Sequence, residues 1–403
     1  MELLENIKKS LKPQKNKDVS LIKTLEKDIP KIVEVFLGGS FAKKTHINND
    51  FDIDVFVRFP DNKNISKRLK KILDKATISY KEIPGSRNYF EVKADYTYEI
   101  VPVKKVKTPK EAENVIDLSP FHVKYFNDNA TNKIRDEVRL LKQFLKANNL
   151  YGSETHIKGF SGHTVDLLTL HYKSFLKIIK AAQNWSEEVV IDMENIHEFP
   201  LMTLNKSKLK SPLIMVDPTD PYRNASAALS KENFDKFKKL AKEFLKKPSK
   251  KFFEKKPLLT RTKQKTNKNL YIIDVKPLNR TKNISAAKAR KAYENIIKEI
   301  QNLDFTIEYT DWEFNEENTQ IVLTVTKETI PKTKVIEGPP SNLETHAKKF
   351  REKHDSIHEK NNVLHAKKTR NITNIQKAIE HVIKKEYIKT CYKKANVKKS
   401  ENT

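Results

Sequence analysis

Residues 33–57 read Val-Glu-Val-Phe-Leu-Gly-Gly-Ser-Phe-Ala-Lys-Lys-Thr-His-Ile-Asn-Asn-Asp-Phe-Asp-Ile-Asp-Val-Phe-Val. The apolar run from Val33 to Leu37 predicts a strand, which Gly38 and Gly39 break. Ser40 then opens a helical turn over Phe41 to Thr45. A second strand is expected over Ile53 to Val57. Side chains alternate along a strand, so Asp52 and Asp54 share one side of it. Two carboxylates on one side repel unless a cation lies between them. Oxygen ligands with little else nearby suit Mg²⁺. The Gly39–Ser40 turn offers backbone N–H groups and a hydroxyl, which suit phosphate. Taken alone, these residues also fit a hairpin loop with two solvated acids.

Residues 1–31 have helical spacing on either side of Pro13, and Ile65 to Asp74 forms a further amphipathic helix. Strands are expected over Tyr89 to Ala94 and Tyr96 to Val103. Glu99, on the second of these, would be the third carboxylate of a two-metal site or simply a strand-surface acid. The string Asp117 to Phe126 contains His122, a nucleotide contact or a structural histidine. Lys133 to Asn149 is an amphipathic helix bearing Lys142, and Tyr151-Gly152 provides a glycine stop. Ser161 is placed as the cap of the next helix, with Asp166 and His171 structural. Asn224 and Ser226 are expected to cap a later one. A Lys-rich linker runs from Lys246 to Lys268. Beyond it, a strand at Leu270 to Val275, a helix at Ala286 to Ile300 and a hairpin of Thr306 to Phe314 with Gln320 to Thr326 predict a ferredoxin- or RRM-like α/β domain. His346, His354, His358 and His365 have no Cys near and no common metal-site spacing, so they are solvated or RNA-facing. The Lys-rich C-terminal stretch is expected to fray.

Composition agrees with a multidomain, well-solvated protein: 403 residues, 37% hydrophobic and 33% charged. A formal net charge of +27 points to a polyanion, nucleic acid first. Genome composition or salt adaptation would also enrich lysine. No apolar run approaches a membrane span, and the first residues lack a signal-peptide core. The single Cys391 excludes an internal disulfide and fits a reducing cytoplasm.

The string G-G-S-F-A-K-x-T…D-x-D-I-D-V-F resembles the polymerase β-type nucleotidyltransferases, and among them the archaeal-type (class I) CCA-adding enzymes. Further strings carry the same resemblance in order: E-I-V-P at 99–102, D-L-S-P-F-H-V-K-Y-F at 117–126, E-V-R-L-L-K-Q-F-L-K-A-N-N-L-Y-G at 137–152, G-F-S-G-H-T-V-D-L-L at 159–168, D-P-T-D-P-Y-R-N at 217–224 and E-G-P-P at 337–340. Glu99 and Asp166 depart from it, standing where the family has Asp and Glu. The resemblance implies an α+β, multidomain chain. Residues 1–128 would be a nucleotidyltransferase head with a mixed sheet, 129–255 a helical neck, 256–336 a ferredoxin/RRM-like body and 337–403 a basic, α-containing tail. It implies two Mg²⁺ ions on Asp52, Asp54 and Glu99. Gly39, Ser40, Lys43, His122, Lys142, Tyr151 and Arg223 would bind the nucleotide, Arg223 reading the base. CTP and ATP would be joined to the 3′ end of tRNA, gripped at its acceptor stem and TΨC arm, by a cytoplasmic homodimer. A poly(A) polymerase, or a tRNA-binding protein with a disabled site, are the alternatives.

Overall fold

The computed structural model describes residues 2–13, 20–85, 87–266 and 268–400. It divides into two compact units, residues 1–255 and 256–403.

The first unit opens with helices α1 (Glu2–Leu11) and α2 (Ser20–Asp28); residues 14–19, next to Pro13, lie outside the described residues. Strand β1 (Glu34–Leu37) leads into a short helix α3 (Gly39–Ala42), then β2 (Ile53–Phe59), helix α4 (Ile65–Lys75) and strands β3 (Lys81–Ile83), β4 (Tyr89–Lys93) and β5 (Thr97–Lys104). The sheet order is β1-β2-β5-β4-β3. Only β2 and β5 run parallel; the other pairs are antiparallel. The period of two separates the faces. Ile53, Val55, Val57, Phe59, Tyr98 and Ile100 pack under Leu21, Leu25, Leu69 and Leu73 from α2 and α4. Asp54 and Glu99 therefore lie on the other face.

The remainder of this unit is mainly helical. It comprises α5 (Ser119–Asn129), α6 (Asn132–Ala147), α7 (Gly162–Tyr172), α8 (Phe175–Ala182), β6 (Val189–Ile191), α9 (Pro200–Thr203), β7 (Leu213–Asp217), β8 (Asp220–Asn224) and α10 (Lys231–Lys246). Phe144, Phe160, Phe175, Phe237 and Phe244 fill its core. α1 belongs to this core although it starts the chain: Leu4, Ile7 and Leu11 join it, and Lys8 pairs with buried Glu137 of α6 at 2.6 Å.

Some sequence expectations give way here. The helical turn begins at Gly39, one residue before Ser40. The left-handed residue that ends α6 is Asn149 (φ 55°), not Gly152. Gly152 (φ +125°) instead pairs its backbone with Gly159 and Phe160 at 2.8 Å. Ser161 does cap α7, accepting from the Thr164 amide. α10 is capped by Ser230. Asn224 and Ser226 instead tie β7 and β8 together, Asn224 Oδ1 accepting from the Met215 and Ser226 amides. The stretch 246–268 is no bare linker, since Phe252 and Phe253 pack into the first unit's core.

The second unit starts with α11 (Leu258–Lys263), β9 (Leu270–Pro277), α12 (Lys282–Asn302), β10 (Ile307–Glu313), β11 (Thr319–Val325) and β12 (Thr333–Pro340). It continues through α13 (Glu344–Lys353), β13 (Ile357–Lys360), β14 (Val363–Thr369), α14 (Ile375–Val382), α15 (Glu386–Lys389) and β15 (Tyr392–Ser400). One antiparallel sheet has the order β10-β11-β9-β15. With α12 after its first strand and α14 before its last, this is the split βαβ pattern of ferredoxin-like domains. The basic C-terminal stretch is thus a paired strand rather than a frayed end. A second sheet, β12-β14-β13 with α13 on it, is inserted before α14. His358 and His365 face each other across β13 and β14, their rings stacked at 5.4 Å.

Candidate active site

The parallel register of β2 and β5 sets Asp54 directly opposite Glu99, and β4 adds Glu91 opposite Glu99. A row of carboxylates therefore crosses three strands on one face, with Asp52 just ahead of β2. Glu91 has no motif of its own in the sequence; its partner on β5 is what brings it to the row.

The turn before α3 closes on this row. The Gly38 amide donates to the Asp54 carbonyl at 2.8 Å. Gly39 is left-handed (φ +53°), and a Cβ there would fall 1.6 Å from Asp54 Oδ2. Both facts require glycine. Burial, then the neighbouring Asp52 carboxylate, push the Asp54 carboxyl up to about 6, while Lys43 and Lys142 pull the other way. A buried acid raised by a second acid is a site that a divalent cation relieves.

Helix α6 grips the loop that follows α3. Arg135, Arg139, Lys142 and Lys146 recur three and four residues apart, on one helical face. Arg135 Nε donates to the Lys43 carbonyl at 3.0 Å and Arg139 Nε to that of His46 at 3.0 Å. Lys142 Nζ donates to Thr45 Oγ1 at 3.1 Å, and Lys146 pairs with Asp50 at 2.7 Å. Burial lowers the Lys142 ammonium to about 8, against the pull of Asp166, with Lys43, Lys146 and Arg139 adding to the lowering. Lys43 Nζ donates to Asp166 Oδ2 of α7 at 2.8 Å and lies over the Phe126 ring. Burial also raises the Tyr151 hydroxyl, with Asp166, Glu154 and Asp54 contributing. Lys43, Lys142, Tyr151 and Asp54 thus share one electrostatic neighbourhood.

His122 and Arg223 meet one helical turn from Phe126. Arg223 NH1 donates to Asp217 Oδ2 at 2.7 Å and lies 3.1 Å from His122 Nε2. His163, at the start of α7, stacks on His122 with centroids 3.9 Å apart, and its Nε2 is 3.0 Å from the same Asp217 oxygen. Burial, then the other imidazole, drive His122 down to about 3, so it is neutral. Burial would raise the Asp217 carboxyl, but the hydrogen-bond donors around it, His163 among them, hold it far below its usual range. Asp217 and His163 sit inside quoted strings of the sequence, yet only the fold shows them converging on Arg223. Asp117, which opens the string containing His122, is structural. It takes both arms of Arg87 and the Lys104 amide at 2.9 Å, fixing the start of α5 to the end of β5.

Comparisons with known proteins bear on this arrangement. Residues 19–187 match the nucleotidyltransferase domain, 136–254 the second domain of tRNA nucleotidyltransferase and 281–394 the C-terminal domain of the CCA-adding enzyme. The CCA-adding enzyme of Nanoarchaeum equitans is 40% identical over 53% of this chain and 55% of its own length. That of Methanocaldococcus jannaschii is 33% identical over 81% of this chain and 75% of its own. That of Methanococcus maripaludis is 31% identical over 93% and 87%. Among solved structures, the Cid1 poly(U) polymerase superposes with a TM-score of 0.51 at 11% identity, over 63% of this chain and 98% of that one, a likeness of fold alone. No helix among the described residues is long and apolar enough to cross a membrane. With three domain matches in order and relatives aligned over most of their length, the chain belongs to the CCA-adding enzymes of archaeal type, the tRNA nucleotidyltransferases.

Proposed function

We propose that this chain joins CTP and ATP to the 3′ end of tRNA at the Asp54–Glu99 face of its head, completing the terminal C-C-A. The observation that carries this reading is the in-register pairing of Asp54 with Glu99, beside a glycine turn whose backbone touches the Asp54 carboxylate. The acids fit a divalent cation, because Asp54 carries a raised pKa that positive charge would relieve. Asp52, Asp54 and Glu99 would hold two Mg²⁺ ions, Glu99 beside the attacking hydroxyl. When bound, the ions would lower the pKa of the tRNA 3′-hydroxyl and offset the charge that develops at the α-phosphate.

The chain's own groups do the rest. The Gly39 and Ser40 amides, the Ser40 hydroxyl and Lys43 receive the triphosphate. For Lys43 this means exchanging Asp166 for phosphate. Lys142 and Tyr151 contact the nucleotide from the neck, and His122 and Arg223 hold the base. The 3′-hydroxyl oxygen bonds to the α-phosphorus as the bond to the pyrophosphate oxygen breaks. The basic body and tail would clamp the acceptor stem and TΨC arm by their phosphates, as suits a substrate known by shape. Resemblance to the family extends the reading to a cytoplasmic homodimer.

The experiment is direct: incubate the protein with tRNA lacking C-C-A, vary CTP and ATP, and sequence the 3′ ends. Two C and one A are expected. Extension of unstructured RNA with ATP alone would replace this reading with a poly(A) polymerase.

A further inference from the structure

Asp217 Oδ2 is the meeting point of Arg223 NH1 at 2.7 Å and His163 Nε2 at 3.0 Å, with His122 Nε2 3.3 Å away and turned to Arg223 NH1. Hydrogen-bond chemistry fixes the protons here. A carboxylate only accepts, so His163 Nε2 carries a hydrogen and donates it. The His163 Nδ1 is then bare, and it is buried with no partner among the described residues. A guanidinium only donates, so the contact of Arg223 NH1 with His122 Nε2 makes that nitrogen the acceptor and places the His122 proton on Nδ1. Both hydrogens of Arg223 NH1 are thereby used, one on Asp217 and one on His122. What remains of the guanidinium is Nε–H and NH2, an edge that donates and cannot accept.

That edge matters for a site that must take two different bases. Cytosine N3 and adenine N1 are bare ring nitrogens that accept a hydrogen bond. Uracil N3 and guanine N1, at the same edge, carry hydrogens and donate. A guanidinium free to swing would satisfy uracil or guanine through their carbonyl oxygens instead. One held in place meets donor with donor and rejects them.

We propose that Asp217 is the positioning residue of base selection: its Oδ2, backed by His163, fixes Arg223 so that the nucleobase meets a donor-only edge common to C and A recognition. This rests on the reading of Arg223 as the base contact. Asp217 Oδ1 serves a separate structural end, accepting from the Thr219 amide at 3.0 Å and hydroxyl at 2.8 Å. Asp217→Asn is therefore a selective change. Its Oδ1 keeps Thr219, while an NH2 group faces Arg223 NH1 in place of the accepting oxygen.

The test compares kcat/KM for CTP and ATP with that for UTP and GTP on tRNA lacking C-C-A, in the parent and four variants. Asp217→Asn should cut the ratio of correct to incorrect base about ten- to a hundredfold, with triphosphate affinity unchanged. His163→Phe keeps the stacked ring but loses the N–H donor and should relax the ratio less; if Asp217→Asn fails to fold, this variant decides. Thr219→Val removes only the structural contact and should leave the ratio at the parent value. A parental ratio in folded Asp217→Asn, or in His163→Phe where that variant decides, overturns the inference, as does an equal relaxation in Thr219→Val. Arg223→Ala separates the two readings. If it relaxes the ratio and Asp217→Asn does not, the socket fails alone; if it leaves the ratio unchanged, the assignment of Arg223 fails with it.

Discussion

Gly39 and Asp54 are in such close contact that a single added carbon on the glycine would overlap the carboxylate, 1.6 Å from its Oδ2. The phosphate turn and the metal-facing acid are therefore placed by one contact. Gly39→Ala should move both. It also forces an L-residue into a left-handed conformation, at a cost of about 1 kcal/mol. We expect the melting temperature to fall by only a few degrees and incorporation by at least roughly a hundredfold. A variant that keeps near-parental turnover would show that the contact is not needed in the reaction.

Asp54→Asn separates catalysis from stability. The folded protein holds this carboxyl at about 6, against an ordinary value of 3.8. Stability from the bound proton is full below the unfolded value and is lost as pH rises through 6. At pH 7 the metal-free parent thus carries an ionised, poorly compensated acid. Asparagine should stabilise the fold by about 2–3 kcal/mol at most, seen as a higher melting temperature, while incorporation falls by several orders of magnitude. Calorimetry in chelator, beside a turnover assay, reads both. A lower melting temperature in the variant would mean that Asp54 is a structural acid.

Lys142 supplies the pH dependence. Its ammonium is lowered to about 8 by burial, so it is cationic below that pH and neutral above it. The KM for CTP should therefore climb as pH passes through 8. Lys142→Arg, which stays charged, should flatten that rise. The same upward limb in both proteins would assign it to another group.

Binding of tRNA should weaken steeply with salt. Neutralising about five phosphates on a duplex gives a log–log slope near −4, since each contact releases counterions. A filter-binding or fluorescence titration between 50 and 200 mM salt, a range chosen for its usual sensitivity, measures the slope. A flat response would mean that the net charge of +27 serves another purpose.

The elements that read most clearly from sequence are those whose signal is local. β2 and β5 follow from alternation, α6 from its apolar stripe, and the hairpin of β10 and β11 from its turn. The sequence marks Gly38 and Gly39 only as a strand break; that position 39 needs glycine shows only once Asp54 is set against it. What stays hidden depends on partners far along the chain. The basic face of α6 reads as solvated until the loop at 43–50 is laid against it, some 90 residues away in sequence. β15 is masked by its composition: it is an edge strand whose outward lysines keep it soluble, and only Tyr392, Ala395 and Val397 of it pack on the core. Asp217 and His163 lie 54 residues apart, and neither has a periodicity that would announce the other.

The docking of α1 on α6 has a consequence for synthesis. Leu4, Ile7 and Leu11 leave the ribosome well before the surface that covers them, which lies on a helix spanning Asn132–Ala147 and is made roughly 120 residues later. At about 5–20 residues per second the wait is on the order of ten seconds. Throughout it the nascent chain carries an uncovered apolar stripe. The head sheet, whose strands end at Lys104, can assemble in the meantime, so α1, made before those strands, is buried after them.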